Sequence, residues 1–109
     1  MSLSSDLKVV SAVKTVAAAG TREPLAVGDL NLLRVRSVTI RALTGNGGNV
    51  FIGNGTVSNA VYYALSPGET ITYQVSWEGW QRGEAINLNS LWLDVAVNGE
   101  GVCYTALRD

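Results

Sequence analysis

The chain has 109 residues, of which 47% are apolar, and its 8 basic and 9 acidic side chains leave a formal net charge of −1. This length fits one domain, and the charge balance offers no electrostatic surface for nucleic acid or an anionic membrane. Histidine, the commonest general base and metal ligand, is absent, and one cysteine makes neither an internal disulfide nor a zinc site. We therefore expect no enzyme activity, no metal and no cofactor.

The N-terminal region is polar as far as Lys8 and apolar from there to Gly20. Lys14 interrupts the apolar part and Asp6 precedes it, which does not fit a signal peptide. No run of the chain approaches the ~18 apolar residues of a membrane-spanning helix. We predict an extended N-terminal arm over residues 1–14 and a single domain over residues 15–109.

Short apolar runs follow one another along the chain, rich in Val, Ile and Thr (26 residues together) and separated by Gly, Asn and Pro. This composition and spacing predict β-strands and give little signal for helices. The predicted strands cover residues 8–17, 22–27, 33–43, 49–53, 61–65, 69–77, 85–88, 91–97 and 102–107.

Apolar and polar residues alternate most clearly in three of these runs. The alternation predicts that Val38, Ile40 and Ala42 face the core, as do the odd-numbered residues of 71–77 and 91–97. The phase slips before Ser37, which predicts a bulge, or a strand that ends and restarts, near Arg36.

Turn signals lie between the runs. Residues 45–48, Asn54-Gly55 and Asn98-Gly99 have the composition of hairpin turns, and Ser66-Pro67-Gly68-Glu69 fits a type II turn. Residues 76–83 are the least regular and predict a protruding loop. Eight or nine short strands in such an order predict an all-β fold, a single antiparallel β-sandwich of the jelly-roll kind.

Three motifs resemble ligand-binding or catalytic sites, but we interpret them as turns or isolated charges. The glycine run at 45–48 lacks the third glycine and the helix of a dinucleotide site, and the segment from Asp94 to Glu100 lacks two ligands of a calcium loop. Glu78 and Glu84 have nothing to fix them as a glycosidase pair. Without a histidine, neither Cys103 nor any serine has a base to activate it.

The tryptophans leave alternatives open. Trp77 and Trp80 bracket the irregular loop together with Arg82, and Trp92 has the parity opposite to Leu91 and Leu93. Such residues stack on sugar rings, lie at the centres of protein interfaces, or close the open end of a sandwich. We predict that Trp77, Trp80, Arg82 and Trp92 bind a partner.

Six segments occur in a fixed order over residues 15–107: VAAAGTR (16–22), SVTIRAL (37–43), GGNVFIG with TVS (47–53 and 56–58), ALSPGE (64–69), LWLDVA (91–96) and GEGVCY (99–104). In this order the chain resembles the small β-sandwich virion proteins of tailed bacteriophages, which include capsid decoration (cement) proteins and small head or tail accessory proteins. It departs from the simplest of these in residues 77–84, which are longer and more aromatic than a plain turn.

The resemblance implies a structural protein that binds the major capsid protein, or another virion protein, and stabilises the assembled phage shell. It implies a homo-oligomer, with a trimer favoured, located on the head surface of the virion after synthesis in the host cytoplasm. The alternative function is a tail-associated or surface module that binds a carbohydrate or receptor.

Overall fold

The structure, a computed structural model, describes residues 7–58 and 63–108. Its strands are β1 (Lys8–Thr15), β2 (Glu23–Pro24), β3 (Arg34–Val35), β4 (Ser37–Ala42), β5 (Val50–Gly53), β6 (Tyr63–Leu65), β7 (Thr70–Gln74), β8 (Ile86–Asn87), β9 (Trp92–Val95) and β10 (Gly101–Arg108). Two short helices, α1 (Leu30–Leu33) and α2 (Trp77–Gln81), and a 3₁₀ turn (Leu88–Ser90) complete the described elements.

The strands pair from the two ends of the chain inward: β1 with β10, β2 with β9, β3 with β8, β4 with β7 and β5 with β6. The chain is therefore one long antiparallel ribbon, with its tip between β5 and β6. Pairing of β10 with β4 and of β9 with β5 rolls this ribbon into two four-stranded sheets, and β3 with β8 forms a separate two-stranded sheet. Sheet A has the order β1-β10-β4-β7, and sheet B has the order β2-β9-β5-β6. This is a jelly roll, and the predicted antiparallel sandwich is confirmed.

The core lies between the two sheets and is built by the alternation read from the sequence. Val38, Ile40 and Ala42 on β4 are fully buried, and Leu93 and Val95 on β9 meet them from sheet B. Val97, predicted to face inward with them, is instead 43% exposed because β9 ends at Val95.

The predicted strand over residues 33–43 is divided at Arg36, as the phase slip indicated. Val35 belongs to β3, which pairs with β8, whereas β4 begins at Ser37 and pairs with β10 and β7. The backbone of Arg36 still joins sheet A, because its N–H donates to Leu107 O and its carbonyl accepts from Val75 N–H. This division accounts for ten strands where nine were predicted.

Other predicted strands are shorter than expected. Residues 22–27 contribute only Glu23–Pro24, since proline has no N–H for a ladder, and residues 85–88 contribute only Ile86–Asn87. The prediction for 69–77 is wrong at its end, where β7 stops at Gln74 and α2 begins at Trp77. Residues 61 and 62 lie outside the described residues.

The turns reflect the rolled ribbon. Gly68 and Gly99 have φ of 84° and 81°, and Glu69 N–H donates to Ser66 O, as the predicted type II turn requires. Residues 45–48 and Asn98-Gly99 do not close hairpins, however, because each connects a strand of one sheet to a strand of the other. Composition therefore predicts where a turn lies, but not whether the strands on either side of the turn pair with each other.

Candidate functional site

The outer face of sheet A carries almost no charge. Successive residues of a strand point to opposite faces of the sheet. The residues that alternate with the inward-facing ones therefore face outward on all four strands. Arg41 is the one charged residue among the side chains of this face. They are Val9, Ser11, Val13 and Thr15 on β1, Cys103, Thr105 and Leu107 on β10, Ser37, Thr39 and Arg41 on β4, and Thr70, Thr72 and Gln74 on β7.

A row of hydroxyl groups crosses this face at its middle. Ser11, Thr105, Thr39 and Thr72 are in register across the four strands. Ser11 Oγ lies 3.1 Å from Thr105 Oγ1, and Thr39 Oγ1 lies 2.9 Å from Thr72 Oγ1. All four side chains are exposed. Because the hydroxyls already bond in pairs, covering them costs less than burying unpaired polar groups.

A second feature lies beyond the end of β7, where α2 carries two of the tryptophans. Ser76 caps this helix, its Oγ accepting the Gly79 N–H at 3.0 Å, and Gly83 with φ of 88° follows the helix at its end. The predicted protruding loop is therefore a short helical turn. A Cβ at Gly79 would lie 2.5 Å from Glu84 Oε1 and 2.9 Å from Val75 Cγ1, so a larger residue there would have to displace both side chains.

Two arginines from the divided strand hold this helical turn. The Arg34 guanidinium donates to Gly83 O at 2.7 Å, and the Arg36 guanidinium lies 5.3 Å from the ring centre of Trp77. A cation over an aromatic face contributes about 0.5–1 kcal/mol at exposed positions. Trp77 is 43% exposed, so the stacked arginine fixes the orientation of a ring that solvent still reaches.

The predicted partner-binding residues fall in two places. Three of them lie together in and just after α2: Trp77, Trp80 and Arg82. Trp80 is half-buried, and Arg82 Nη2 lies 3.2 Å from Glu84 Oε2. Trp92 lies on β9 in sheet B, half-buried beside Gly55. The structure thus groups three of the four residues, and Trp92 belongs to the other sheet.

A cavity of about 430 Å³ on sheet B is lined by Asp94 with Gly20, Phe51 and Ser58 among its neighbours. Asp94 is 3% exposed, and its Oδ1 accepts the N–H groups of Gly20 at 2.9 Å and Val95 at 2.8 Å. The bond from Gly20 holds the segment after β1 against β9 of sheet B, whereas the bond from Val95 is local. Asp94 is the sole titratable residue among those that line the cavity, which gives it no partner for acid–base chemistry.

The other acidic and nucleophilic groups have structural contacts. The Glu100 carboxylate accepts the N–H groups of Gly47 and Gly48, which ties the glycine loop to the last turn. Cys103 is half-buried on β10 between Val13 and Arg41. Burial raises the pKa of Tyr73 and of Tyr104 above the ordinary value of 10.0. Over residues 7–58 and 63–108, no three His, Cys, Asp or Glu side chains are grouped so as to hold a metal ion.

The sequence reasoning missed the hydroxyl row. Its four residues lie in four predicted strands, but the row exists only because the register aligns them. Comparison with protein-family models, with curated proteins and with solved structures gives no match. Within the described part of the chain, no helix has the length and apolar character needed to cross a membrane. Fold and site together define a jelly-roll protein with an exposed, nearly uncharged sheet face.

Proposed function

We propose that this protein is a structural subunit that binds an assembled protein shell, and that it serves as a capsid decoration protein on the head of a tailed phage. The observation that carries the proposal is the outer face of sheet A, where Arg41 is the one charged residue among the outward side chains of four strands. Depletion of charge at the centre of a surface is typical of protein interfaces.

The shape of the face supports the same proposal. Four strands about 4.8 Å apart and up to eight residues long give roughly 400 Å² in plan. A standard interface buries about 800 Å² on each partner, so the face supplies a large part of a contact but not all of it. We propose that α2, with Trp77, Trp80 and Arg82 at one end of sheet A, adds to the same contact, and that the subunit acts as a homo-oligomer.

A decoration role also agrees with the chemistry of the described residues. A shell-binding subunit needs no nucleophile, base or metal, and the acidic groups Glu23, Asp94 and Glu100 are engaged in contacts within the fold. Binding to the assembled shell in preference to its separated subunits stabilises the shell by mass action, by about 2.7 kcal/mol per site at 100 times the dissociation constant.

The test compares phage heads with and without the protein. Heads that lack it should rupture at a lower temperature or under milder osmotic shock, and the purified protein should restore their resistance. Trp80→Ser should weaken this rescue. Deleting residues 1–14 is not a clean variant, because it removes most of β1 and uncovers the edge of β10. Equal rupture of heads with and without the protein would contradict the proposal.

One observation favours the alternative of a carbohydrate-binding module on a tail or cell surface. Trp77 presents a partly exposed ring whose orientation is fixed by Arg36, as stacking on a sugar requires. The structure makes Trp77 a better probe than the half-buried Trp80. Glycan-array binding that is lost in Trp77→Ala and retained in Trp92→Ala would favour the sugar-binding function over the shell-binding one.

A further inference from the structure

Strand β1 forms one edge of sheet A, and β7 forms the other. Strand β1 pairs with β10 over all eight residues without a bulge, and no described strand pairs with its other side. Natural edge strands are commonly short, bulged or interrupted by proline, which prevents pairing with another chain. Strand β1 has none of these protections, and lysine, which also protects natural edges, occurs only toward its two ends, at Lys8 and Lys14.

The hydrogen-bonding groups of β1 alternate between its own sheet and solvent. Val16 N–H donates to Glu100 O at 2.9 Å in register with the pairing of β1 and β10. In an antiparallel ladder the groups of every second residue point to the same side, so the even-numbered residues of β1 face β10. The N–H and C=O groups of Val9, Ser11, Val13 and Thr15 therefore point away from the sheet.

Strand β1 carries apolar side chains on both faces between Lys8 and Lys14, and most of them are exposed. Val9 and Val13 are 66% and 64% exposed on the outer face. Ala12 is exposed and Val10 half-buried on the inner side, because the neighbouring edge of sheet B is only the two-residue strand β2. Another strand that paired with the free edge of β1 would cover both its outward backbone groups and its apolar side chains.

The pattern of β1 is complementary to itself. When two copies run antiparallel about a two-fold axis at Ser11, Val9 of one copy lies opposite Val13 of the other on the outer face. Val10 lies opposite Ala12 on the inner face, and the outward N–H and C=O groups meet in register. Lys8 comes opposite Lys14, whose ammonium already lies 2.8 Å from Glu23 Oε1, so a carboxylate is present at that contact.

We propose that two copies of this chain pair through β1, with the two-fold axis at Ser11, to form one continuous eight-stranded sheet. This contact goes beyond the binding of a shell, because it concerns the free protein in solution. It also joins the outer faces of two copies into one surface about twice as wide. A two-fold contact closes on itself as a dimer, whereas the trimer implied by the phage resemblance would need β1 to meet a different surface.

The first measurement is the mass of the full chain by sedimentation equilibrium over a range of concentrations. We expect a reversible transition from the 11.5-kDa subunit to twice that mass. A subunit that stays monomeric at every concentration, or that forms a trimer, would overturn the proposal. Both results would leave the shell-binding function open, since that function is tested on phage heads.

The second measurement tests the register with a matched pair of double variants. Val9→Lys with Val13→Glu places opposite charges across both symmetric contacts, whereas Val9→Lys with Val13→Lys places like charges there. We expect the first variant to dimerise at least about 10-fold more tightly than the second, since opposite charges attract and like charges repel across strands. Equal dimerisation of the two variants would overturn the register.

A third comparison uses the outward N–H of Ser11. Ser11→Pro removes this donor without removing a backbone hydrogen bond to β10, because proline is tolerated at edge positions whose N–H faces solvent, although it also removes the hydroxyl that lies 3.1 Å from Thr105 Oγ1. Ser11→Ala removes the hydroxyl and keeps the donor. We expect Ser11→Pro to be monomeric and Ser11→Ala to dimerise, with the circular dichroism of a β-protein in both. Dimerisation of a folded Ser11→Pro variant at the wild-type strength would contradict pairing through β1.

Discussion

The centre of the core is best tested at Leu93, which is fully buried on β9 between Glu23 of β2 and Ile52 of β5. Leu93→Ala removes three carbon atoms, worth about 2.4 kcal/mol at roughly 0.8 kcal/mol for each buried methylene. The cavity that remains adds to this, so we expect a loss of about 2–5 kcal/mol in the free energy of unfolding. The four-stranded packing on each side leaves little freedom for the sheets to collapse into the space.

Urea unfolding followed by tryptophan fluorescence measures this loss. With a slope of about 1–3 kcal/mol per molar urea, a loss of ~3 kcal/mol lowers the midpoint by roughly 1–3 M. Two valines provide a matched control. Val95 lies on the same strand and is 2% exposed, whereas Val97 lies in the turn after it and is 43% exposed. Val95→Ala should cost about 2 kcal/mol, and Val97→Ala less than about 0.5 kcal/mol. A loss below ~1 kcal/mol for Leu93→Ala, or equal losses at the two valines, would refute the assignment of the inward face.

Three further variants test local contacts. Gly101→Ala places a Cβ against the Lys14 carbonyl and 2.7 Å from Thr15 Cα, so we expect β1 to separate from β10 at this end. The control is Gly45→Ala, where the space around the added Cβ is open. Hydrogen exchange at this end of β1 should be faster in Gly101→Ala than in the control. The Lys14 ammonium and the Ala17 N–H hold the pKa of Glu23 below its ordinary 4.5, so its contribution to stability is present above that pH and lost as the pH falls further. Unfolding of Glu23→Gln should therefore differ from wild type at neutral pH, by at most about 1 kcal/mol, and converge with it in acid; a constant difference would contradict this linkage. Ser76→Ala should cost about 1 kcal/mol through loss of the α2 cap, and Ser90→Ala, at an exposed serine, much less; equal costs would argue against the cap.

The sequence predicted the sandwich because its strands alternate with period two and its turns contain Gly, Asn and Pro. The core positions Val38, Ile40 and Leu93 followed directly from that alternation, and so did the break at Arg36. Strand ends were harder to predict. At Trp77 the alternation continues, but the local hydrogen bond from Gly79 N–H to Ser76 Oγ favours a helical turn.

The candidate site was only partly predictable. Trp77, Trp80 and Arg82 are near one another in sequence, so local reasoning grouped them, whereas Trp92 lies on a strand of the other sheet. The hydroxyl row of Ser11, Thr39, Thr72 and Thr105 depends on pairing between strands up to 94 positions apart. No local pattern specifies such a register, because it follows from how the whole ribbon rolls.

The measurement that tests the shell-binding function most directly is the number of copies bound to each purified phage head, by sedimentation with increasing amounts of protein. We expect binding to saturate at a fixed copy number. Thr39→Lys, at the centre of the outer face of sheet A, should weaken binding at least about 10-fold, because it places a strongly hydrated charge in the contact. Thr21→Lys, at an exposed threonine outside sheet A, should bind as wild type does. Absence of saturable binding, or equal binding by both variants, would contradict a shell contact through this face.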